Sequence, residues 1–443
     1  MKRTSALLGA LSAALMLSAT LPATAAQATA DVPLRAVYGG IVTADNPALP
    51  IGAKLPPEFA AKTPNPATPP SLPNLTQAQE NAAKQPPASP ATPAKGEFSP
   101  AATEADNHEG FVTVKWCRDN YGAAPGARVI DRYNWCATRP SVIYYIDSEG
   151  AIKGTTNFRM ITAGQAQRAQ ARKAFFTAGF DLFIDAGQTL PAATTRLEIT
   201  YTTSGYSDWD GSNVKCTVVG FSPNTVAGWK AGTTSNYEIT SDKGEGYSGD
   251  RVSRCGVAQW GISDVNPTWA QLQRTNIRQD SAQYIGSTGG TIFTDFTPVF
   301  RDYYRDNADH GAVARHIWDA QNMPVNTYPS SPNKAVPGSI ASGKPLHRAV
   351  EVAWDPASST RVQDNRRVRT AACNVLSPGG APAGQDCDEY PFASTWEGAG
   401  VGDGNYSVRW LNSRENNNAG TLLSQWYGSQ RVIGRELFYL EVG

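Results

Sequence analysis

A short segment near the C-terminal end of the chain has residue types suited to acid–base chemistry. It runs from Cys387 to Gly398 and reads CDEYPFASTWEG, so that Asp388 and Glu389 stand together in an otherwise apolar run. Side chains of an extended segment alternate between two faces, so one carboxylate should face solvent or a cleft while the other needs a partner inside. Pro391 cannot donate to a strand ladder, which predicts an edge or terminal strand that a ligand can reach. The alternative is a strand end whose carboxylates lie in water.

The residues that follow predict the elements that would position these carboxylates. After a glycine-rich turn at 398–404, residues 406–411 alternate like a second strand. The polar segment 412–420 is rich in capping residues and leads into a short helix at 421–427, and residues 435–442 predict a closing strand. Two strands and a helix, with acids on the first strand and amides at the helix start, could hold one divalent metal ion against a phosphate.

These strings resemble those of a known family. CDEYPFASTWEG at 387–398, SVRW at 407–410 and NSRENNNAGTLLSQWY at 412–427 resemble the NucA/NucB family of secreted bacterial deoxyribonucleases, its actinobacterial branch in particular. The string GKPLHR at 343–348 adds to the resemblance, which is densest over 387–443 and extends back to about 310. The resemblance implies a small α+β domain of the ββα-metal type, with an aspartate where related nucleases use histidine, and a divalent metal cofactor, Mg²⁺ or Mn²⁺.

Phosphodiester cleavage needs an activated water, stabilisation of charge on the non-bridging oxygens and help for the leaving 3′ oxygen. No histidine accompanies the acidic segment in the sequence, so we expect Asp388 to be the base and His316 and His347 to be structural. Asn416 matches the asparagine of the family's Asp-Asn-Arg segment and is a candidate metal ligand, although this chain reads ENNN there. The other candidates are Glu389 and Arg409 for catalysis, Gln425 and Glu397 for the metal, and Arg414, Arg367 and Arg369 for the substrate.

The charge balance excludes a positive field over the whole protein, since 39 Lys and Arg residues face 39 Asp and Glu residues. A nuclease that must release its product needs only a local basic strip. Such a strip precedes the acidic segment, and two further arginines follow it: Arg361, Arg366, Arg367, Arg369, Arg409 and Arg414. Each arginine alone could be solvated surface, but as a cluster they are candidate phosphate contacts.

The six cysteines fall into three sequence-local pairs that predict disulfides: Cys117–Cys136, Cys216–Cys255 and Cys373–Cys387. Export to an oxidising space favours disulfides, and zinc is disfavoured because the chain has no Cys-x-x-Cys and its four histidines show no ligand spacing. Closing a loop of about 15 residues contributes roughly 3 kcal/mol in the chain-entropy model. The third pair would therefore brace the strand that carries Asp388.

The first part of the chain has the features of an exported protein. Residues 1–26 combine a basic start, an apolar centre and a small-residue cleavage region, which predicts a signal peptide. The apolar run is shorter than the ~20 residues that span a bilayer, and no later stretch qualifies. Residues 27–107 are rich in Ala, Pro, Thr, Lys and Gln and predict a disordered Pro/Ala-rich linker or propeptide.

Two folded parts are predicted after this linker. Residues 108–304 predict a β-rich α+β module of unknown function, with strands at 112–116, 141–146, 196–202, 215–221 and 236–240 and a helix at 163–183. Residues 305–443 predict the nuclease domain. Since the candidate catalytic residues lie past Lys344, we expect this part to be active without the preceding module.

The sequence thus predicts a secreted, metal-dependent endonuclease that acts as a monomer on DNA with little sequence preference. It identifies no inhibitor protein. The alternative is a secreted glycan-binding or glycan-hydrolysing protein, in which aromatic residues supply sugar platforms and Asp388 with Glu397 forms an acid/base pair. A third possibility is a catalytically inactive adhesion module. Chelator sensitivity separates these functions, because a glycosidase with two carboxylates needs no metal.

Overall fold

A computed structural model of the protein describes residues 34–443 except 45, 57–110, 124, 169–171, 208–213, 243–248, 264–269 and 286–288. Residues 34–443 form one compact unit. The predicted signal peptide, and the linker apart from 34–56, lie outside the described residues. Within the described ranges, no helix has both the length and the apolar character needed to cross a membrane.

The part of the chain up to residue 293 is mainly β-structure. Its strands are β1 (Arg35–Ile41), β2 (Gly126–Asp131), β3 (Asn134–Ile146), β4 (Ile152–Ala166), β5 (Lys173–Gly187), β6 (Leu197–Ser207), β7 (Cys216–Phe221), β8 (Ser235–Ser241), β9 (Ser253–Ser263), β10 (Ala270–Asp280) and β11 (Gly290–Phe293). Among the residues that the structure describes here, two short α-helices accompany them, α1 (Val114–Tyr121) and α2 (Val226–Lys230).

These strands form two antiparallel sheets that share one core. The seven-stranded sheet has the order β1-β3-β4-β5-β8-β7 with β2 beside β3, and the four-stranded sheet has the order β11-β10-β9-β6. Aromatic side chains from both sheets fill the space between them, including Trp135, Phe176, Tyr201 and Phe293. The Cys216–Cys255 disulfide joins β7 to β9, and Cys117–Cys136 joins α1 to β3. Both predicted pairs are therefore confirmed.

Three sequence predictions for this part are wrong. The helix predicted at 163–183 is the end of β4 and the start of β5, because Ala174, Phe176 and Ala178 alternate into the core as a strand requires. The strand predicted at 112–116 is mostly helix α1, which Thr113 caps by accepting a hydrogen bond from the Trp116 backbone N–H. Residues 35–41, placed in the disordered segment, form β1 and pair with β3. The other four predicted strands are confirmed.

The remaining elements make up the C-terminal part. They are β12 (Val299–Tyr303), α3 (Gly311–Asn322), β13 (Leu346–His347), α4 (Pro356–Leu376), β14 (Gln385–Tyr390), β15 (Ser407–Asn412), α5 (Ser413–Ser429) and β16 (Leu437–Val442). β16 lies between β12, its parallel neighbour, and β13, its antiparallel neighbour. β14 and β15 form a separate antiparallel hairpin, and α5 follows β15 directly. The core includes Phe300, Ile317, Tyr390, Trp426 and Phe438.

The predicted elements around the acidic segment are confirmed in outline. β14, β15 and β16 lie where strands are expected, and the third predicted disulfide joins α4 to β14. The helix α5 is longer than predicted, because Asn412 caps it and the polar segment forms its first turns. β12 pairs with β16, so the C-terminal sheet includes a strand that precedes the boundary predicted at 305.

A buried network of ion pairs joins the two parts of the chain. Glu436, just before β16, contacts Arg132 in the turn between β2 and β3 and Arg278 in β10. Arg431 contacts Asp280 at the end of β10, and Asp280 accepts a 3.0 Å hydrogen bond from Arg278. Burial alone would raise the pKa of Glu436, but the two arginines outweigh it and hold the pKa at about 2. The C-terminal part thus depends on the preceding sheets for its buried charge partners.

Candidate active site

The β14–β15 hairpin sends its two adjacent carboxylates toward different helices. Asp388 pairs with Arg409 in the ladder and Glu389 pairs with Val408, so their side chains leave opposite faces of the hairpin. Asp388 contacts α3, whereas Glu389 lies near Arg369 of α4. The Cys373–Cys387 disulfide fixes the start of β14 to α4.

Asp388 is held by a histidine that the sequence did not connect with it. Its Oδ2 lies 2.7 Å from Nδ1 of His316, and Nε2 of His316 lies 2.7 Å from Oγ of Ser407. His316 is fully buried, and 8% of Asp388 is exposed. The expectation that no histidine accompanies the acidic segment is therefore wrong in three dimensions. The available signal was a histidine on the apolar face of α3, next to Val313 and Ile317, and it gave no hint of this partner.

Glu389 is a buried carboxylate with little compensation. It is 4% exposed, and among the described residues neither of its oxygens has a well-formed side-chain hydrogen bond. The nearest cation is Arg369, whose Nη1 lies 3.7 Å from Oε1. Burial raises the pKa of Glu389 to about 7, with Arg369 opposing and the Asp388 charge adding to the rise. A buried carboxylate of this kind is stabilised when a proton or a cation binds to its oxygens.

Although their side chains leave opposite faces of the hairpin, Asp388 and Glu389 both belong to the lining of one cleft of about 310 Å³. Strand β14, the loop after it, α4 and α5 form most of its walls, and Tyr303 of β12 and Val313 of α3 also line it. Its polar lining combines the two acids with arginines, hydroxyls and an amide: Arg348, Arg366, Arg369, Ser394, Ser424 and Asn416. Tyr303, Phe392, Leu423 and Tyr427 contribute ring and apolar surface. In such a cleft the arginines can bind a phosphate group while a carboxylate takes a proton from the attacking water.

The donors in this cleft fit a hard divalent cation. Carboxylate and amide oxygens suit Mg²⁺ or Mn²⁺, and the uncompensated Glu389 oxygens are available to such an ion. Mg²⁺ commonly takes one or two carboxylates together with waters and substrate phosphates. The described residues contain no group of three or more His, Cys, Asp or Glu side chains arranged as metal ligands.

Asn416 and Arg369 line the cleft together with Asp388 and Glu389, whereas several other candidate residues do not. Gln425 is exposed on α5 outside the cleft lining, since nine residues after Asn416 at 100° each is half a rotation away. Arg367 is exposed and pairs with Asp364 at 3.1 Å. It is two positions from Arg369, so it points away from the same helix face.

The remaining candidates belong to other surfaces. The guanidinium of Arg409 donates to Asp319 at 2.8 Å in a separate cavity. Arg414 pairs with Asp309 at 3.3 Å, and both side chains are exposed. Glu397 lines another cavity, distinct from those of Asp388 and Arg409. There Oε2 of Glu397 accepts a 2.8 Å hydrogen bond from the backbone N–H of His347, and Oε1 of Glu397 lies 2.6 Å from Nδ1 of the His347 ring.

Comparison with known families locates the cleft on a recognisable domain. Residues 342–440 match the family model described as Deoxyribonuclease NucA/NucB. The match confirms the resemblance in the C-terminal part and identifies a deoxyribonuclease domain there. It includes β14, β15 and α5, whereas α3 and His316 lie before its first residue. No curated protein and no solved structure is significantly similar to the chain.

Proposed function

We propose that the protein is a secreted endonuclease that uses a divalent metal ion to hydrolyse DNA with little sequence preference. The observation that carries this proposal is the cleft on the family-matched segment, where Asp388 and Glu389 meet Arg366 and Arg369. The three disulfides support secretion, because such bonds persist in oxidising compartments.

Asp388 is the proposed general base. Its Oδ2 lies 2.7 Å from Nδ1 of His316, which is the one side-chain hydrogen bond that Asp388 makes among the described residues. In the proposed reaction Asp388 takes a proton from water while the water oxygen bonds to phosphorus. The bond from phosphorus to the 3′ oxygen breaks, that oxygen takes up a proton from solvent water, and Asp388 releases its own proton to solvent. The products are a 5′-phosphate and a 3′-hydroxyl, so atoms and charges balance.

Glu389 and Asn416 are the proposed holders of the metal ion. Both line the cleft, and among the described residues the oxygens of Glu389 are opposed only by the Arg369 ion pair at 3.7 Å and by the backbone N–H of Ala393. When bound, the ion would supply positive charge to the phosphate oxygens on which negative charge develops. Metal binding also removes the proton that Glu389 would otherwise hold near neutral pH.

Arg369 and Arg366 are the proposed phosphate contacts. Both lie on α4 and line the cleft, and Arg366 also forms an ion pair with Glu351 at 2.7 Å. Contacts to phosphates carry no sequence information, so a cleft lined by arginines and hydroxyls supports cleavage with little sequence preference. Glycan hydrolysis loses its support, because its proposed pair, Asp388 and Glu397, lines two different cavities.

A plasmid-nicking assay on the purified mature protein tests this function. We expect conversion of supercoiled plasmid to nicked and linear forms with Mg²⁺ or Mn²⁺, loss of cleavage in EDTA, and recovery on metal add-back. A polysaccharide panel under the same conditions serves as the control. Cleavage that persists in EDTA would reject the metal requirement, and an intact plasmid under all metals would reject the nuclease.

A further inference from the structure

We infer that His316 is a positioning residue that holds the Asp388 carboxylate ready to act as base. This inference rests on the proposed function of the cleft. His316 is fully buried, so it cannot touch a substrate in the cleft and acts only through Asp388. It also comes from α3, which precedes the family-matched residues 342–440. A segment outside the matched domain would thus complete the catalytic site.

The contacts of His316 define which oxygen of Asp388 remains available. Ser407 of β15 can donate its hydroxyl hydrogen to Nε2, which leaves the Nδ1 hydrogen to be donated to Oδ2 of Asp388. One ring therefore links α3 to both strands of the hairpin. A rotation of the carboxylate away from this position would break a buried hydrogen bond, so the carboxylate of Asp388, a residue of the cleft lining, keeps one orientation.

Histidine variants that differ in donor position provide the test. The amide nitrogen of Asn can take the place of Nδ1, whereas that of Gln reaches only toward the place of Nε2. We therefore expect His316→Leu and His316→Gln to lower kcat about 10²-fold, the scale at which small misplacements act. His316→Asn should recover at least about tenfold of that loss. The KM for DNA and the half-saturating Mg²⁺ concentration should change less than about twofold in every variant, since the cleft lining is intact.

A matched control on the same helix separates positioning from general stability. Gln321 of α3 also makes two partly buried hydrogen bonds, donating to the Tyr390 hydroxyl at 2.7 Å and to the Leu440 carbonyl at 3.0 Å, but it does not touch Asp388. Gln321→Leu should lower the melting temperature and leave kcat within about twofold of wild type. If His316→Leu does not fold, the comparison of the Asn and Gln variants decides the question.

A double-mutant cycle gives the decisive readout. If His316 acts through Asp388, then His316→Leu should change the residual rate of an Asp388→Asn protein by less than about twofold. A further loss of the full 10²-fold in that background would overturn the inference. So would a folded His316→Leu or His316→Gln protein with wild-type kcat, while the nuclease assignment would stand. An inactive wild-type protein would instead reject the proposed function itself.

Discussion

Replacing Glu389 by Gln should stabilise the protein above neutral pH in the absence of metal. The pKa of Glu389 is raised from 4.5 to about 7 in the folded state, chiefly by burial. Between these values the unfolded chain releases a proton that the folded chain retains, so folding stability falls as pH rises through this window. At 1.36 kcal/mol per pKa unit, the loss is about 3 kcal/mol once the pH exceeds 7. A glutamine at position 389 stays neutral at every pH, so the variant does not lose this stability.

Urea unfolding in EDTA, at pH 4 and at pH 8, measures this effect. The stability of Glu389→Gln relative to wild type should increase by about 3 kcal/mol between the two pH values. Glu441→Gln, a change at an exposed carboxylate paired with Arg301, should show no such increase. Excess Mg²⁺ at pH 8 should stabilise wild type but not Glu389→Gln, if Glu389 holds the metal. Parallel stability curves for the two proteins in EDTA would refute the reasoning from burial.

Three further predictions concern stability and substrate binding. Glu436→Gln should lower the free energy of unfolding at pH 7, measured in urea, by about 3–5 kcal/mol, since Arg132 and Arg278 remain buried without their partner. In the wild-type protein this stabilisation should be present above pH 4.5 and be lost as the pH falls through about 2. An unchanged unfolding midpoint would contradict the stabilising role of the network. Replacing Cys373 and Cys387 by Ser should lower the melting temperature and the nuclease rate, because their loop of 14 residues contributes roughly 3 kcal/mol; unchanged melting and activity would remove the bracing role. Arg369→Ala should raise the KM for DNA and reduce the slope of log affinity against log salt concentration by the equivalent of about one phosphate contact. Arg367→Ala, a change outside the cleft, should have neither effect. Equal effects of the two changes would show that only the overall charge of α4 matters.

Local patterns predicted the hairpin and its surroundings well. The alternation at 406–411 identified β15, and cysteine proximity in the sequence gave all three disulfides. These features depend on neighbouring residues, and a strand or a short loop satisfies them without distant partners. Asn416, suggested by the family resemblance, and Arg369, suggested by the run of arginines, lie on the elements next to β14 along the chain, and both reach the cleft.

The features that failed depend on long-range packing. The Ala-, Gln- and Arg-rich composition at 163–183 favours a helix, but pairing with β3 and β8 and burial of alternate side chains make it two strands. His316 meets Asp388 only because α3 packs against the hairpin 72 residues further along the chain. Whether a candidate arginine lies in the cleft depends on its angular position around its helix and on acidic partners elsewhere, such as Asp319 and Asp309. None of these pairings has a local signature.

Cleavage by Asp388→Asn protein tests the central claim most directly. Asn is nearly isosteric with Asp but cannot take a proton from water, so folding and Mg²⁺ binding should persist while the plasmid-nicking rate falls at least about 10²-fold. Melting temperature and a metal titration on the same sample would show that the cleft is intact. A folded, metal-binding Asp388→Asn protein that nicks plasmid at more than about a tenth of the wild-type rate would contradict the assignment of Asp388 as the base.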